Sequence, residues 1–233
     1  MNIALIMMGG KGTRFGSDIP KQFVEVENVP VFLYLVEAYQ QFKEVDKIVI
    51  VCHEDWKDFT RSWCRDKKIS KLCDVVSGGA NRSHSVQNGL DRISRIAEND
   101  DVVLVHDVTH PFIDKENVVE CILFAREDGA ATLAGSCFDT MYQLNTDDVI
   151  ERVVNRESLV SATAPECFRF DVIWPLYDGK TVEDLEKMTS AGAMLVANGK
   201  KVRVIRTPLI NLKITLHEDM EAFKKLLHGY YYE

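Results

Sequence analysis

The chain has 233 residues, 46% of them hydrophobic, and 28 basic against 36 acidic side chains, for a net charge of −8. That apolar mass suffices for one large α/β domain over residues 1–233. The acidic balance argues against a nucleic-acid partner yet leaves room for a basic pocket around a small phosphorylated ligand.

No stretch approaches the roughly 18 apolar residues of a membrane span, so no membrane partner is expected. The amino terminus lacks the basic region of a signal peptide, and a cytoplasmic location is expected. The six cysteines form no Cys-x-x-Cys pair and read as reduced, mostly buried thiols.

Residues 3–8 are a continuous apolar run that reads as a buried first strand. It empties into Gly9-Gly10-Lys11-Gly12-Thr13-Arg14-Phe15-Gly16, with Pro20-Lys21-Gln22 a few residues on. Residues 23–26 suggest a short strand, and Pro30 opens a helix with Leu35, Ala38, Tyr39 and Phe42 on one apolar stripe. Residues 47–52 form a β-branched strand, 55–66 a helix, and Val75-Val76 close another strand. Gly78-Gly79-Ala80-Asn81-Arg82 is a second glycine loop, and Ser83 or a neighbour caps a helix running to about Ala97.

Residues 101–105 form a buried strand ending in His106-Asp107. A helix over 115–127 and a strand over 130–134 follow. From 137 to 155 polar and apolar residues alternate around Asn145-Thr146-Asp147-Asp148, the pattern of a protruding hairpin arm. Helices are predicted over 169–177 and 182–198, strands over 201–206 and 211–215, and a last helix from His217. This alternation predicts an α/β fold, a mostly parallel twisted sheet with helices on both faces.

A strand that empties into glycines and the cations Lys11, Arg14 and Lys21 suits a polyphosphate. Glycines let backbone N–H groups approach the anion, and the cations offset its charge. Two familiar loops fail on spacing. A P-loop needs Ser or Thr after its lysine, and Lys11 is followed by Gly12; the dinucleotide fingerprint needs a third glycine where Phe15 stands.

Ligands of open α/β sheets sit beyond the carboxyl ends of the strands. The two glycine loops, His106-Asp107 and the 211–215 segment with Lys213 could all face one crevice there. Asp107 is either a cap or a ligand for Mg2+, and the polyphosphate loop favours the metal. His106 alternates to the other face of its strand, where a satisfied core histidine is the ordinary role. Lys213 is equally readable as a site residue or as a lysine snorkelling from an edge. Asp139-Thr140, Arg156 and Thr189 carry little signal alone.

Taken in order, five motifs span nearly the whole chain. They are Gly9-Gly10-Lys11-Gly12-Thr13-Arg14 with Pro20-Lys21-Gln22; Gly78-Gly79-Ala80-Asn81-Arg82 through Ser85 to Leu90; Val105-His106-Asp107 through Pro111-Phe112; Asp139-Thr140; and Asn211-Leu212-Lys213-Ile214-Thr215. This set resembles the cytidylyltransferases that activate polyol phosphates, the methylerythritol 4-phosphate and ribitol 5-phosphate enzymes, with a Rossmann-like nucleotidyltransferase fold. The resemblance implies that Arg14, Lys21 and Lys213 are catalytic, Arg14 and Lys21 on the CTP triphosphate and Lys213 in contact with the polyol phosphate. It implies a nucleotide site from Met8, Gly9, Gly10, Lys11, Gly12, Thr13, Gly78, Gly79, Ala80, Arg82, Ser85 and His106. Asp107 would help hold Mg2+ or another divalent cation. Thr140, Arg156, Thr189 and His110 would meet a small polyol phosphate, with the arm at 137–155 exchanged across a homodimer.

The chain departs from that pattern on the acceptor side. His110 replaces the usual arginine, Ala164-Pro165-Glu166 replaces Thr-Pro-Gln, and Thr189-Ser190-Ala191-Gly192 lacks the carboxylate of Thr-Asp-x-Ala. Thr207-Pro208-Leu209-Ile210 lacks an acidic second metal ligand. The altered acceptor half points to a changed polyol phosphate. It also leaves room for an inactive nucleotide-binding scaffold, or for a transferase using another nucleotide. A glycosyltransferase would need an Asp-x-Asp motif, which the chain lacks.

Overall fold

The computed structural model describes residues 1–10, 15–16, 19–186, 188–208 and 210–231. In chain order its strands are β1 (Asn2–Met8), β2 (Glu25–Val26), β3 (Val29–Pro30), β4 (Lys47–Cys52), β5 (Leu72–Ser77), β6 (Val102–Asp107), β7 (Ala130–Ser136), β8 (Met141–Leu144), β9 (Ile150–Val154), β10 (Val160–Arg169) and β11 (Arg203–Arg206). Its α-helices are α1 (Val31–Gln41), α2 (Lys57–Asp66), α3 (Arg82–Ser94), α4 (Lys115–Asp128), α5 (Phe170–Tyr177), α6 (Val182–Glu186), α7 (Ala191–Ala197) and α8 (His217–Tyr231).

The central sheet has seven strands in the order β11-β7-β10-β6-β1-β4-β5. β1 pairs in parallel with β4 on one side and β6 on the other, with Met7 opposite Asp107. The apolar run of β1 serves both faces, as expected of a strand covered on each side. Ala4, Ile6 and Met8 join a cluster containing residues of α1 and α4. Ile3, Leu5 and Met7 join a second cluster with residues of α3, α5 and α7. The chain leaves β1 for β4 on one flank and returns through α3 to β6 on the other. The gap beyond the ends of β1 and β6 is therefore the switch point where open α/β sheets take ligands.

Helix α3 lies very close to this sheet. A Cβ on Gly89 would stand 2.5 Å from Leu5 Cδ1 and 2.9 Å from Val51 Cγ2. Gly89→Ala is expected to overpack that contact at a cost of about 1–3 kcal/mol, read as a lower urea midpoint with an unchanged slope.

Three sequence expectations are corrected. β10 was not foreseen, and it inserts antiparallel between β6 and β7. Its Val-Ser-Ala-Thr-Ala-Pro run contains few large apolar residues, and its register against β7 shifts between Ala162 and Glu166, across Pro165. The single helix over 182–198 is two helices, because Ser190 starts a new one by accepting the Ala193 N–H at 3.0 Å. Residues 211–215 are not in a strand; the segment crosses the sheet end, and the Ile214 N–H donates to the Thr109 carbonyl at 2.8 Å. The arm is present as the antiparallel pair β8–β9.

Candidate active site

A cleft of about 680 Å³ opens at the carboxyl ends of β1, β4, β5 and β6. β1 supplies Met7 and Met8, and the chain beyond it supplies Gly9 and Gly10. The turn after Pro20 supplies Lys21 and Gln22, and the end of β4 supplies His53 and Glu54. Gly78 to Arg82 and Ser85 form another wall, Asp107 to Thr109 the next, and Lys213 completes the lining.

Lys213 reaches the cleft because its segment is tied down beside it. The Lys21 ammonium donates to the Ile214 carbonyl, and Ile214 is buried against Thr109. Two cations from opposite ends of the sequence thereby share one cavity. Lys11, Gly12, Thr13 and Arg14 lie outside the described residues.

Gln22 fixes the first glycine segment. Its side chain is buried, and its amide donates to the Met8 carbonyl at 3.0 Å and the Gly10 carbonyl at 2.8 Å. Gln22→Ala strands two carbonyls, a penalty of about 1–3 kcal/mol. Both the melting temperature and the affinity for a bound triphosphate are expected to fall, read by thermal melts with and without nucleotide. Sequence reasoning assigned Gln22 no role, although it stands in the Pro-Lys-Gln motif. His53, Glu54, Asn81 and Thr109 were also missed.

The second glycine segment is organised by the start of α3. Asn81, rather than Ser83, is its cap and accepts the His84 N–H at 2.8 Å. Gly9 and Gly78 face each other so closely that a Cβ on either would lie 3.3 Å from the other's Cα.

Asp107 lies at the end of β6 with both carboxylate oxygens 3.2 Å from Arg82 Nε, while Arg82 Nη2 stands 3.1 Å from Oδ1. The same Nη2 lies 3.9 Å from Glu166, whose carboxylate also accepts the Gly192 N–H at 2.8 Å. Burial pushes the Glu166 carboxyl up from the usual range, and the Arg82 charge opposes that rise. Arg82 thus braces two carboxylates rather than standing as an open cation.

Among the described residues no group of three or more His, Cys, Asp or Glu side chains could enclose a metal. A carboxylate oxygen has a second lone pair, so Asp107 can still offer one oxygen to a Mg2+ that draws its remaining ligands from phosphate and water.

His106 does not belong to the cleft, correcting the expectation that it contacts nucleotide. It is 0% exposed, with Nδ1 2.8 Å from the Tyr39 hydroxyl and Nε2 2.9 Å from the His110 carbonyl. Burial holds its pKa down to about 4, so it is neutral at neutral pH. His110 is 9% exposed. Burial, then the nearby Lys213 charge, lowers its pKa to about 4. It is therefore neutral at neutral pH, where an arginine would be charged. Thr140, Arg156 and Thr189 are exposed and do not line the cleft of their own chain. Arg156 Nη1 donates to the Phe138 carbonyl at the base of the arm.

This arrangement can hold a triphosphate between glycine backbone and two lysines, beside the Asp107 carboxylate. The family model for 2-C-methyl-D-erythritol 4-phosphate cytidylyltransferase matches residues 2–228. The enzyme of that name from Thermotoga neapolitana is 34% identical over 223 residues, covering 95% of this chain and 94% of the relative. A ribitol-5-phosphate cytidylyltransferase from Lacticaseibacillus paracasei is 28% identical over 229 residues, covering 97% and 98%. The 4-diphosphocytidyl-2C-methyl-D-erythritol synthase of Anaerococcus prevotii superposes with a TM-score of 0.80 at 24% identity, covering 97% and 98% of the two chains, which shows the shared fold. The chain belongs to the IspD family of 2-C-methyl-D-erythritol 4-phosphate cytidylyltransferases.

Proposed function

We propose that this protein transfers CMP from CTP to a small polyol phosphate, giving a CDP-polyol and pyrophosphate. The observation that carries the reading is the meeting of Lys21 and Lys213 in one cleft with Asp107. A phosphate oxygen of the polyol attacks the α-phosphorus in line, and the bond to the departing pyrophosphate breaks. A phosphate monoester is already nucleophilic at neutral pH, so no side-chain base is needed. The work left to the protein is to bring two anions together and to neutralise charge as it grows on phosphorus.

Gly9 and Gly10 leave the backbone open to the phosphates. Lys21 and Lys213 neutralise them, and Arg82 holds Asp107 in place. Bound to the triphosphate beside Asp107, Mg2+ would offset further negative charge.

A second copy of the chain fits the same reading. Phe138 is 81% exposed, and Tyr142, Leu144, Ile150 and Val153 are exposed along the arm. Covering that surface with another subunit would carry Thr140 and Arg156 toward the partner's acceptor site. Among the described residues no helix is long and apolar enough to cross a membrane, and the net charge of −8 disfavours nucleic acid.

The test is a pyrophosphate-release screen of four nucleoside triphosphates against methylerythritol, ribitol and glycerol phosphates. Release with CTP and one of these acceptors is expected. Success with another nucleotide and none with CTP rejects the cytidylyl assignment, and binding without any release identifies an inactive scaffold.

A further inference from the structure

We propose that His84 is a positioning residue for base selection: it turns the Gly79–Ala80 peptide so that the Gly79 carbonyl serves as acceptor for the amino group of cytosine. The proposal rests on the reading of the cleft as a nucleoside triphosphate site and deepens it.

The first turn of α3 consumes both N–H groups of the loop. The Gly79 N–H donates to Ser85 Oγ at 2.9 Å, and the Ala80 N–H donates to His84 Nδ1 at 3.0 Å. In return the His84 N–H donates to Asn81 Oδ1. This is a reciprocal cap like a capping box, with the side chain reaching one residue further back. The imidazole is pressed onto the loop: a Cβ on Gly79 would lie 2.4 Å from His84 Cγ and 2.7 Å from Nδ1. Only glycine admits that approach.

Gly79, Ala80 and Ser85 line the cleft, and His84 does not. The ring therefore stands behind the loop and does not compete with a ligand for the cavity. The Gly79–Ala80 peptide is trans, and the two ends of a trans peptide point in opposite directions. With the Ala80 N–H held toward His84, the Gly79 carbonyl is turned the other way. Cytosine carries a donor amino group where uracil carries an acceptor oxygen. A fixed carbonyl attracts the first and repels the second, which is selection by both a favourable and an unfavourable contact.

The experiment compares wild type, His84→Ala and His84→Asn by calorimetric titration with CTP and with UTP in Mg2+, alongside amide exchange of Ala80 in the ligand-free protein. Wild type is expected to prefer CTP by at least about tenfold, on the scale of one lost polar contact to a buried group. In His84→Ala the preference collapses toward unity and Ala80 exchanges faster. In His84→Asn, whose Oδ1 stands where Nδ1 stood, both are kept. At saturating CTP, turnover of the alanine variant stays near wild type while KM for CTP rises.

An unchanged CTP-to-UTP ratio in the alanine variant overturns the proposal, as does unaltered Ala80 exchange or a wild type with no preference for CTP. Selective CTP binding with no pyrophosphate release from any acceptor would instead overturn the transferase reading and leave this one standing.

Discussion

Lys21→Ala is expected to lower kcat by at least a hundredfold, the equivalent of about 3 kcal/mol for one charge-stabilising donor lost from a transition state. The side chain lines the cleft and also holds the Ile214 carbonyl, so its loss loosens the segment that carries Lys213. Lys213→Ala separates the two effects, because it removes a charge and leaves that tether in place. If charge at the reacting phosphorus is the main contribution of Lys21, both variants lose turnover while CTP still binds. If the tether dominates, Lys21→Ala loses far more than Lys213→Ala. An unchanged kcat in both would remove the lysines from the mechanism. The family resemblance extends the same expectation to Arg14.

Arg82→Ala is expected to destabilise the fold by about 3 kcal/mol, because it leaves partly buried carboxylates without their counter-charge. Asp107 and Glu166 are 23% and 13% exposed at the side chain, and Arg82 stands between them. The penalty has a pH signature. Burial already raises the folded-state pKa of Glu166 above its unfolded value, and Arg82 is the charge that opposes the rise. Without Arg82 that pKa climbs further, so ionised Glu166 weighs most against the folded state at neutral pH. The deficit shrinks as the pH falls through the folded pKa and the carboxyl takes up its proton. Urea midpoints at about pH 7.5 and about pH 5 should therefore differ more between wild type and variant at the higher value. Glu166→Gln keeps an acceptor for the Gly192 N–H without the charge and should cost less than Arg82→Ala.

The parts of the fold legible in the sequence were those whose pattern is local. The apolar run before Gly9, the β-branched 47–52 segment and the His106-Asp107 strand end each announce a buried parallel strand, and each forms one. β10 escaped because its small residues and Pro165 mimic a loop, and its place between β6 and β7 is decided by the rest of the sheet.

The same division runs through the site. The glycine loops and Asp107 were visible because they follow strand ends, and Lys21 because it stands in the Pro-Lys-Gln motif. Lys213 was undecidable alone, since nothing near it in sequence reveals that Ile214 docks on Thr109. The pairing of Arg82 with Asp107 and Glu166 joins three separate elements, and no spacing rule encodes it. His106 was assigned to nucleotide through resemblance, although strand alternation already turned it to the face where Tyr39 now holds it.

The most direct check of the central claim is a single-turnover reaction of the purified protein with CTP labelled at the α-phosphorus, Mg2+ and the acceptor chosen by the screen, quenched in acid. The account predicts that label passes from CTP straight into CDP-polyol, with unlabelled pyrophosphate and none on the protein. Label trapped on the polypeptide, or left entirely in CTP with every acceptor, would contradict it.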